Sequence, residues 1–242
     1  MWLIEDSAIG KVAVPPALPE GYALFITTRD FPGTAPFAEP ITDLLETRFN
    51  LQTSLTTCSQ VHGATVTRVT SGQAWRECDS CDALWSDHKH TALGIKVADC
   101  LPVTMIDPVH SVIANVHSGW RGAVQRITSA TVDALERDTA FQASSALAYL
   151  GPSIRACCFE VGEEVVAEFT AAYEGAERFV DRSHAKPHID LAALTADVLR
   201  HRGFTDERIS DSGLCTRCEG SVFHSYRRDG KGGGRNLQVV AQ

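Results

Sequence analysis

Leu93-Gly94-Ile95-Lys96-Val97-Ala98-Asp99-Cys100-Leu101-Pro102 and, further on, Val112-Ile113-Ala114-Asn115-Val116-His117-Ser118-Gly119-Trp120-Arg121-Gly122 decide how this chain is read. The runs 93–97 and 112–116 are short and apolar, the pattern of strands buried on both faces. Each stops just before a chemically distinctive residue, which puts Cys100 and His117 at or just beyond the C-terminal ends of strands. Folds that mix helices and sheets commonly build sites there. From 119 to 137, Val124, Ile127, Thr131, Ala134 and Leu135 fall on one face at helical spacing, so a helix is expected.

The flanking sequence extends this pattern. Residues 22–28 read as a strand rich in aromatic and β-branched residues, and alternation predicts a half-buried strand over 64–70. The segment 30–40, with Pro32, Gly33, Pro36 and Pro40, is expected to be a loop leading to a short helix over 41–49. A buried strand is expected at 146–150 and a helix at 160–173, with Val165, Val166, Phe169 and Tyr173 inward. A third helix over 190–202 has Asp190 as N-cap and Gly203 just past its end. The glycine-rich stretch 229–235 is expected to be flexible before a last strand at 236–240. With no repeat and no boundary signal, residues 1–242 read as one domain, a mixed sheet with covering helices.

A formal net charge of −8 with a pI near 5.6 argues against nucleic acid or an anionic membrane as the main partner. No apolar run approaches the roughly 18 residues of a membrane span, and Met1-Trp2-Leu3-Ile4-Glu5-Asp6 does not read as a leader, so a cytoplasmic location is expected. In a reducing compartment, eight cysteines point to metal or thiol chemistry rather than a disulfide scaffold.

Gln60-Val61-His62-Gly63 adds a second imidazole to Cys100 and His117. Two imidazoles and one thiolate form a ligand set for a catalytic zinc, which keeps a fourth position open. The three are scattered, without the close pairing of a structural zinc clip. Taken singly, each also reads as a buried core residue. Gly63, Pro102 and Gly119 punctuate the three positions and let the backbone turn beside them. Separately, Cys78-x-x-Cys81 and Cys215-x-x-Cys218 have the combined spacing of a four-cysteine structural zinc site, and either pair alone also suits a redox dithiol. Cys157-Cys158 reads as core packing, and His88, His90, His184, His188 and His201 as surface.

These motifs, together with Gly151-Pro152-Ser153-Ile154-Arg155-Ala156-Cys157-Cys158-Phe159-Glu160-Val161-Gly162 and Cys215-Thr216-Arg217-Cys218 followed by Ser225-Tyr226-Arg227-Arg228-Asp229-Gly230, resemble the signatures of the YfiH-like family. That family was long described as multicopper polyphenol oxidase, or laccase domain, and later assigned purine nucleoside phosphorylase and adenosine deaminase activity. The resemblance runs from about residue 58 to the C-terminus. It implies an α+β fold layered α/β/β/α with mixed sheets, and it makes His62, Cys100 and His117 the ligands of one catalytic zinc. It further implies zinc-dependent phosphorolysis of adenosine, inosine and methylthioadenosine, alongside adenosine deamination.

Phosphorolysis needs a cationic seat for inorganic phosphate, and Arg121, Arg227, Arg228 and Arg29 are its candidates because the guanidinium fork matches phosphate oxygens. For deamination, Asp99 is the candidate proton shuttle, although its place beside a ligand equally suits an orienting role. The family has a counterpart only for the second Cys-x-x-Cys pair. Relatives carry a longer Gly/Ser-rich segment where this chain has Asp30-Phe31-Pro32-Gly33.

Three other readings use the same residues. A copper phenol oxidase would need several histidine-rich copper sites, and His88-Lys89-His90 stands apart from the His₂Cys set. A cysteine hydrolase would take Cys100 as nucleophile and His117 as base. A non-enzymatic metal-binding protein would leave Arg121, Arg227 and Arg228 without a purpose. The expected partners are a purine nucleoside and inorganic phosphate, with no nucleic acid and no membrane. The sequence is silent on oligomeric state.

Overall fold

In the computed structural model, which describes residues 2–31, 38–70 and 76–242, both decisive runs are strands buried on their two faces. They belong to different sheets. The first sheet runs in the order β1 (Leu3–Ser7), β2 (Gly10–Val14), β3 (Ala23–Thr27), β15 (Asn236–Ala241), β8 (Thr91–Val97), β4 (Ser54–Cys58) and β6 (Arg76–Cys78). The second runs β14 (Ile209–Asp211), β11 (Leu147–Leu150), β9 (Leu101–Asp107), β10 (Val112–Ser118), β7 (Ala83–Ser86) and β5 (Val66–Arg68). Each combines parallel and antiparallel pairs. A small third ladder pairs β12 (Val180–Asp181) with β13 (His188–Ile189).

Side-chain alternation along the strands assembles the layers. Leu93 and Ile95 of β8 meet Leu84, Ile106 and Ile113 of the second sheet, forming the core between the sheets. Val112, Ala114 and Val116 of β10 point the other way, onto a core shared with α3 (Ile127–Asp138), α4 (Glu163–Ala172) and α5 (Leu191–His201). On the outer face of the first sheet, Phe25, Leu55 and Val239 pack against Ile41, Leu44 and Leu45 of α1 (Ala38–Phe49). The architecture is therefore α/β/β/α. Burial on both faces explains why the central strands are apolar throughout instead of alternating.

A buried polar relay crosses between the sheets. Gln238 Nε2 donates to Thr104 Oγ1 at 2.8 Å, which donates to Asn115 Oδ1 at 3.1 Å. Asn115 Nδ2 in turn donates to the carbonyls of Leu93 and Gln238 at 2.9 and 3.0 Å. Such a relay rewards one relative placement of the two sheets, because any slip leaves buried donors unsatisfied.

Several boundaries differ from the sequence reading. The helix expected over 119–137 is two, α2 (Trp120–Val124) and α3, because Arg126 takes a left-handed conformation at φ 62 and breaks the rise. The helix expected from 160 starts at Glu163, with Gly162 extended as its N-cap residue. α1 starts before Pro40, since proline is tolerated in a first helical turn. Pro32, Gly33 and Pro36 of the expected loop lie outside the described residues, as does half of the shortened Asp30-Phe31-Pro32-Gly33 segment. Pro102 lies inside β9, near its start, where a missing amide donor is tolerated. Of the stretch 229–235 expected to be flexible before β15, Asp229 ends α6 (Tyr226–Asp229) and Gly230–Gly232 form a short 3-10 turn, while residues 233–235 carry no regular structure. Asp190 does cap α5, accepting from the Ala193 amide at 2.9 Å, and Gly203 has φ 96. No helix among the described residues is long and apolar enough to cross a membrane.

Candidate metal centre

β10 extends to Ser118, so His117 is its penultimate residue, buried at 3% exposure, and not the first residue after it. Cys100 occupies the turn from β8 of one sheet to β9 of the other, immediately after Asp99. Asp99 holds φ 80, an uncommon value for a non-glycine residue that turns the chain sharply here. His62, also left-handed at φ 60, comes from the loop between β4 and β5. These three elements bring one ligand atom each from His62, Cys100 and His117 to within 4.8 Å of one another. The two imidazoles meet edge to face, with centroids 4.8 Å apart, and Cys100 Sγ lies 3.9 Å from His62 Nε2.

One carboxylate organises the group, and sequence reasoning passed over it. Asp82, fully buried, accepts from His117 Nδ1 at 2.8 Å and from the His62 amide at 2.9 Å through Oδ1. Its Oδ2 accepts from the amides of Gly63 and Val61 at 2.8 and 3.2 Å. Burial works against the Asp82 charge, but His117 and these amides outweigh it and hold the carboxyl below its ordinary value. Fixing Nδ1 as a donor leaves His117 Nε2 to present a lone pair, the usual device for orienting a histidine ligand. The available signal was an aspartate set against the apolar run Ala83-Leu84-Trp85.

Burial pushes the Cys100 thiol up, yet His117 and His62 outweigh it and bring it down to about 6. Burial pulls His117 down, and Asp82 and Cys100 reverse this and lift it to about 9. Without a metal, the pair is a thiolate beside an imidazolium. Gly119 is required by space: a Cβ there would lie 2.9 Å from Cys100 Sγ and 3.2 Å from His62 Cδ2.

The three residues open into a cavity of about 840 Å³. Arg121 and Arg227 line it, together with Lys96 and Arg235, which the sequence reading did not single out. Arg121 lies over the Trp120 ring at 4.2 Å. Arg227 donates to the Glu160 carbonyl at 2.9 Å, which pins its guanidinium at the cavity wall. Arg228 and Arg29 are not among the lining residues. Arg228 spends its donors on Asp229 and on the carbonyls of Thr216, Arg217 and Phe223, and Arg29 reaches the Gly220 carbonyl at 2.5 Å. Both tie the C-terminal loops together.

Asp99 lines the cavity, but both of its oxygens are engaged: Oδ1 accepts from Thr216 Oγ1 and Oδ2 from the Arg227 amide, each at 2.6 Å. That is the orienting alternative, directed at the Arg227 segment and not at an imidazole.

The expected four-cysteine set does not assemble as paired from the sequence. Cys78 ends the edge strand β6, and Cys81 is buried in the core between the sheets together with Cys58. Cys215 and Cys218 gather instead with Cys157 and Cys158, the pair read as core packing. Spacing along the chain could not foresee this, because Cys78 and Cys215 belong to different sheets' surroundings. His188, read as surface, is buried with Nδ1 against the Ala156 carbonyl.

Residues 40–242 match the family model described as multi-copper polyphenol oxidoreductase laccase. "Adenosine deaminase RL5", from an unknown prokaryotic organism, is 39% identical over 164 residues, covering 67% of this chain and 62% of that protein. "Purine nucleoside phosphorylase YlmD" of Bacillus subtilis is 32% identical over 189 residues, covering 75% of this chain and 68% of that protein. The matched region thus spans less than two thirds of the first relative's length. Among solved structures, the hypothetical protein YfiH of Bacillus licheniformis superposes with a TM-score of 0.85 over 98% of both chains, at 23% identity. YlmD of Geobacillus stearothermophilus gives 0.84 over 100% of this chain and 99% of that one, at 24% identity. By the family match over residues 40–242 and the likeness to its curated relatives, the chain belongs to the multi-copper polyphenol oxidoreductase laccase family, the YfiH-like group.

Proposed function

We propose that this chain is a zinc-dependent purine nucleoside phosphorylase acting on adenosine, inosine and methylthioadenosine. The observation that carries the reading is one cavity with a His₂Cys centre in its wall and the guanidinium groups of Arg121, Arg227 and Arg235 around it. The names borne by its relatives supply the nucleoside chemistry.

The donor set suits zinc: two imidazoles and a thiolate, one imidazole oriented by a buried carboxylate, with room left for a fourth partner. Zinc held by His62, Cys100 and His117 would supply a Lewis acid and would bring the pKa of a bound water towards ~7. Asp82 keeps the proton on His117 Nδ1 and fixes the loop bearing His62. Arg121, Arg227 and Arg235 bind and orient inorganic phosphate for attack at the ribose C1′, where the new C–O bond forms as the C1′–N9 bond breaks and the purine leaves, taking a proton from solvent. Trp120, Ile154 and Phe159 supply apolar faces for the base and exclude water. Asp99 holds the Arg227 backbone in place through Oδ2.

Adenosine deamination is a secondary activity in this reading. It needs a proton shuttle, and Asp99 has both oxygens committed. Polyphenol oxidation is disfavoured by ligand type, since the other metal-ligating group among the described residues is all thiol. A cysteine hydrolase is the one competing reading with an observation behind it, because Asp82, His117 and Cys100 stand in the order of a nucleophilic triad.

The test incubates metal-quantified protein with inosine and adenosine, with and without phosphate, and identifies products by mass spectrometry. Phosphate-dependent ribose 1-phosphate that disappears in His62→Ala and in chelator-stripped wild type, and returns when zinc is added back to the wild type, supports the proposal. Turnover that survives complete metal removal but is blocked by alkylating Cys100 establishes the hydrolase instead.

A further inference from the structure

Outside this centre, Cys157, Cys158, Cys215 and Cys218 bring their Sγ atoms to within 4.8 Å of one another. Three of the separations are 3.7 Å for Cys157–Cys158, 3.8 Å for Cys157–Cys218 and 3.4 Å for Cys158–Cys218. A tetrahedral ion with Zn–S bonds of about 2.3 Å spaces its thiolates about 3.8 Å apart along each edge. Disulfide sulfurs lie only about 2.05 Å apart. Three of the thiols are therefore already near the spacing of a single-ion shell, and Cys215 Sγ lies within 4.8 Å of each of them. We propose that Cys157, Cys158, Cys215 and Cys218 bind one structural Zn²⁺ as a four-thiolate site, independent of the His62–Cys100–His117 centre.

The surroundings suit thiolates. Amides of Cys218, Arg155 and Arg217 lie beside the Cys215 sulfur, and the Arg217 guanidinium lies beside Cys158. Amide donors and a guanidinium offset the excess negative charge of four thiolates around a divalent cation. Cys158 and Cys215 are buried, whereas Cys157 and Cys218 are exposed, so the ion has an entry path and a packed floor. Each thiol that joins the shell releases its proton to solvent. All-sulfur tetrahedral coordination selects zinc over the harder divalent ions.

Such an ion would cross-link two loops at the edge of the cavity. The loops are otherwise joined near the cluster by the Ser153 amide to Leu214 carbonyl bond at 3.3 Å and the Thr216 amide to Ser153 carbonyl bond at 3.0 Å. Thr216, between the two cysteines of the Cys215–Cys218 pair, donates to Asp99 Oδ1 at 2.6 Å. Arg227 Nη1 points at the Cys158 carbonyl at 3.5 Å. The proposed ion thus supports the loops that contact Asp99 and Arg227, without touching the cavity chemistry. The inference does not depend on which reaction the cavity performs.

Metal content of reduced, full-length protein tests it. Wild type is expected to hold about two zinc ions per chain, and His62→Ala/Cys100→Ala about one. That remaining ion should be released by a mercurial thiol reagent. Cobalt loaded into the same variant should show the intense thiolate charge-transfer absorption of a tetrathiolate site. Cys157→Ser/Cys218→Ser, which alters only exposed residues, should lose one ion and keep the one at His62, Cys100 and His117. Folded His62→Ala/Cys100→Ala with no zinc and no tetrathiolate cobalt spectrum overturns the proposal. Peptide mapping that finds a disulfide among the four cysteines in freshly purified protein overturns it as well. If the serine variant fails to fold, the zinc content of His62→Ala/Cys100→Ala decides alone.

Discussion

Replacing Asp82 with asparagine keeps the shape of the site and removes the charge that organises it. The carboxylate accepts four hydrogen bonds, from His117 Nδ1 and the His62 amide on Oδ1 and from the Gly63 and Val61 amides on Oδ2. Asparagine has one acceptor oxygen, so in either orientation two of these N–H donors face an NH₂ group. Each donor left unsatisfied costs about 1–3 kcal/mol when buried. Val61 is exposed and water can replace its bond, which places the loss at the lower end, about 2–3 kcal/mol. At 2–4 °C per kcal/mol for a chain of this size, Tm should fall by about 4–12 °C.

The metal should respond more sharply. Loss of a partner that orients a histidine ligand weakens metal affinity about 10–100-fold, equivalent to about 1.4–2.7 kcal/mol. Competition with a chromophoric chelator measures the affinity and calorimetry the Tm. The pH dependence supplies an independent sign for the metal-free protein. The folded Asp82 pKa is depressed, so its stabilisation is complete above the unfolded value of about 3.9 and is lost as pH falls through the folded value. The gap between wild type and Asp82→Asn should therefore close in acid. A folded Asp82→Asn protein with zinc affinity within about twofold of wild type, well short of the usual 10-fold or greater loss, would refute this account.

Four further outcomes follow from the same geometry. Gly119→Ala should weaken zinc binding at least ~10-fold while far-ultraviolet circular dichroism stays unchanged, because its Cβ would press on Cys100 and His62; unchanged zinc affinity counts against the shared centre. Arg227→Ala should raise the KM for phosphate about 10-fold or more with little change in that for the nucleoside, whereas equal effects on both would remove Arg227 from the phosphate seat. In metal-free protein, alkylation of Cys100 by iodoacetamide should rise with an inflection near pH 6, and zinc should suppress it; an inflection near the ordinary thiol value would contradict the thiolate–imidazolium pair. Asn115→Ala should lower Tm by about 4–12 °C, since it strips the inter-sheet relay of its centre at a cost of about 2–3 kcal/mol; a shift below about 2 °C would mean the relay carries no net stability.

Local order was legible wherever one physical signal dominated. The apolar runs at 93–97 and 112–116 had to be buried strands, and Asp190 and Gly203 marked the ends of α5 through capping and left-handed backbone. The break between α2 and α3 was hidden, because it rests on Arg126 adopting positive φ, which no local pattern near it announces. β9 was hidden by Pro102, which reads as a turn until the strand around it is known. At the site, His62, Cys100 and His117 stood out by residue type and motif, and so did the cations Arg121 and Arg227.

By itself, then, the sequence determined the chemistry available to this protein: soft and borderline ligands at strand ends, guanidinium groups near the C-terminus, and strands apolar enough to be buried on both faces. Tertiary structure decided the partnerships. Asp82 lies 35 residues from His117, and Cys157 and Cys158 lie 61 and 60 residues from Cys218, yet each pairing is a direct contact. Arg228 and Asp99, which read as free functional groups, have their donors and acceptors satisfied by loops that the fold brings alongside. The reason is physical. Residue type sets what a side chain can bind, but a hydrogen bond or a ligand shell is a statement about distance, and distance between remote segments is fixed only when the two sheets and their loops pack.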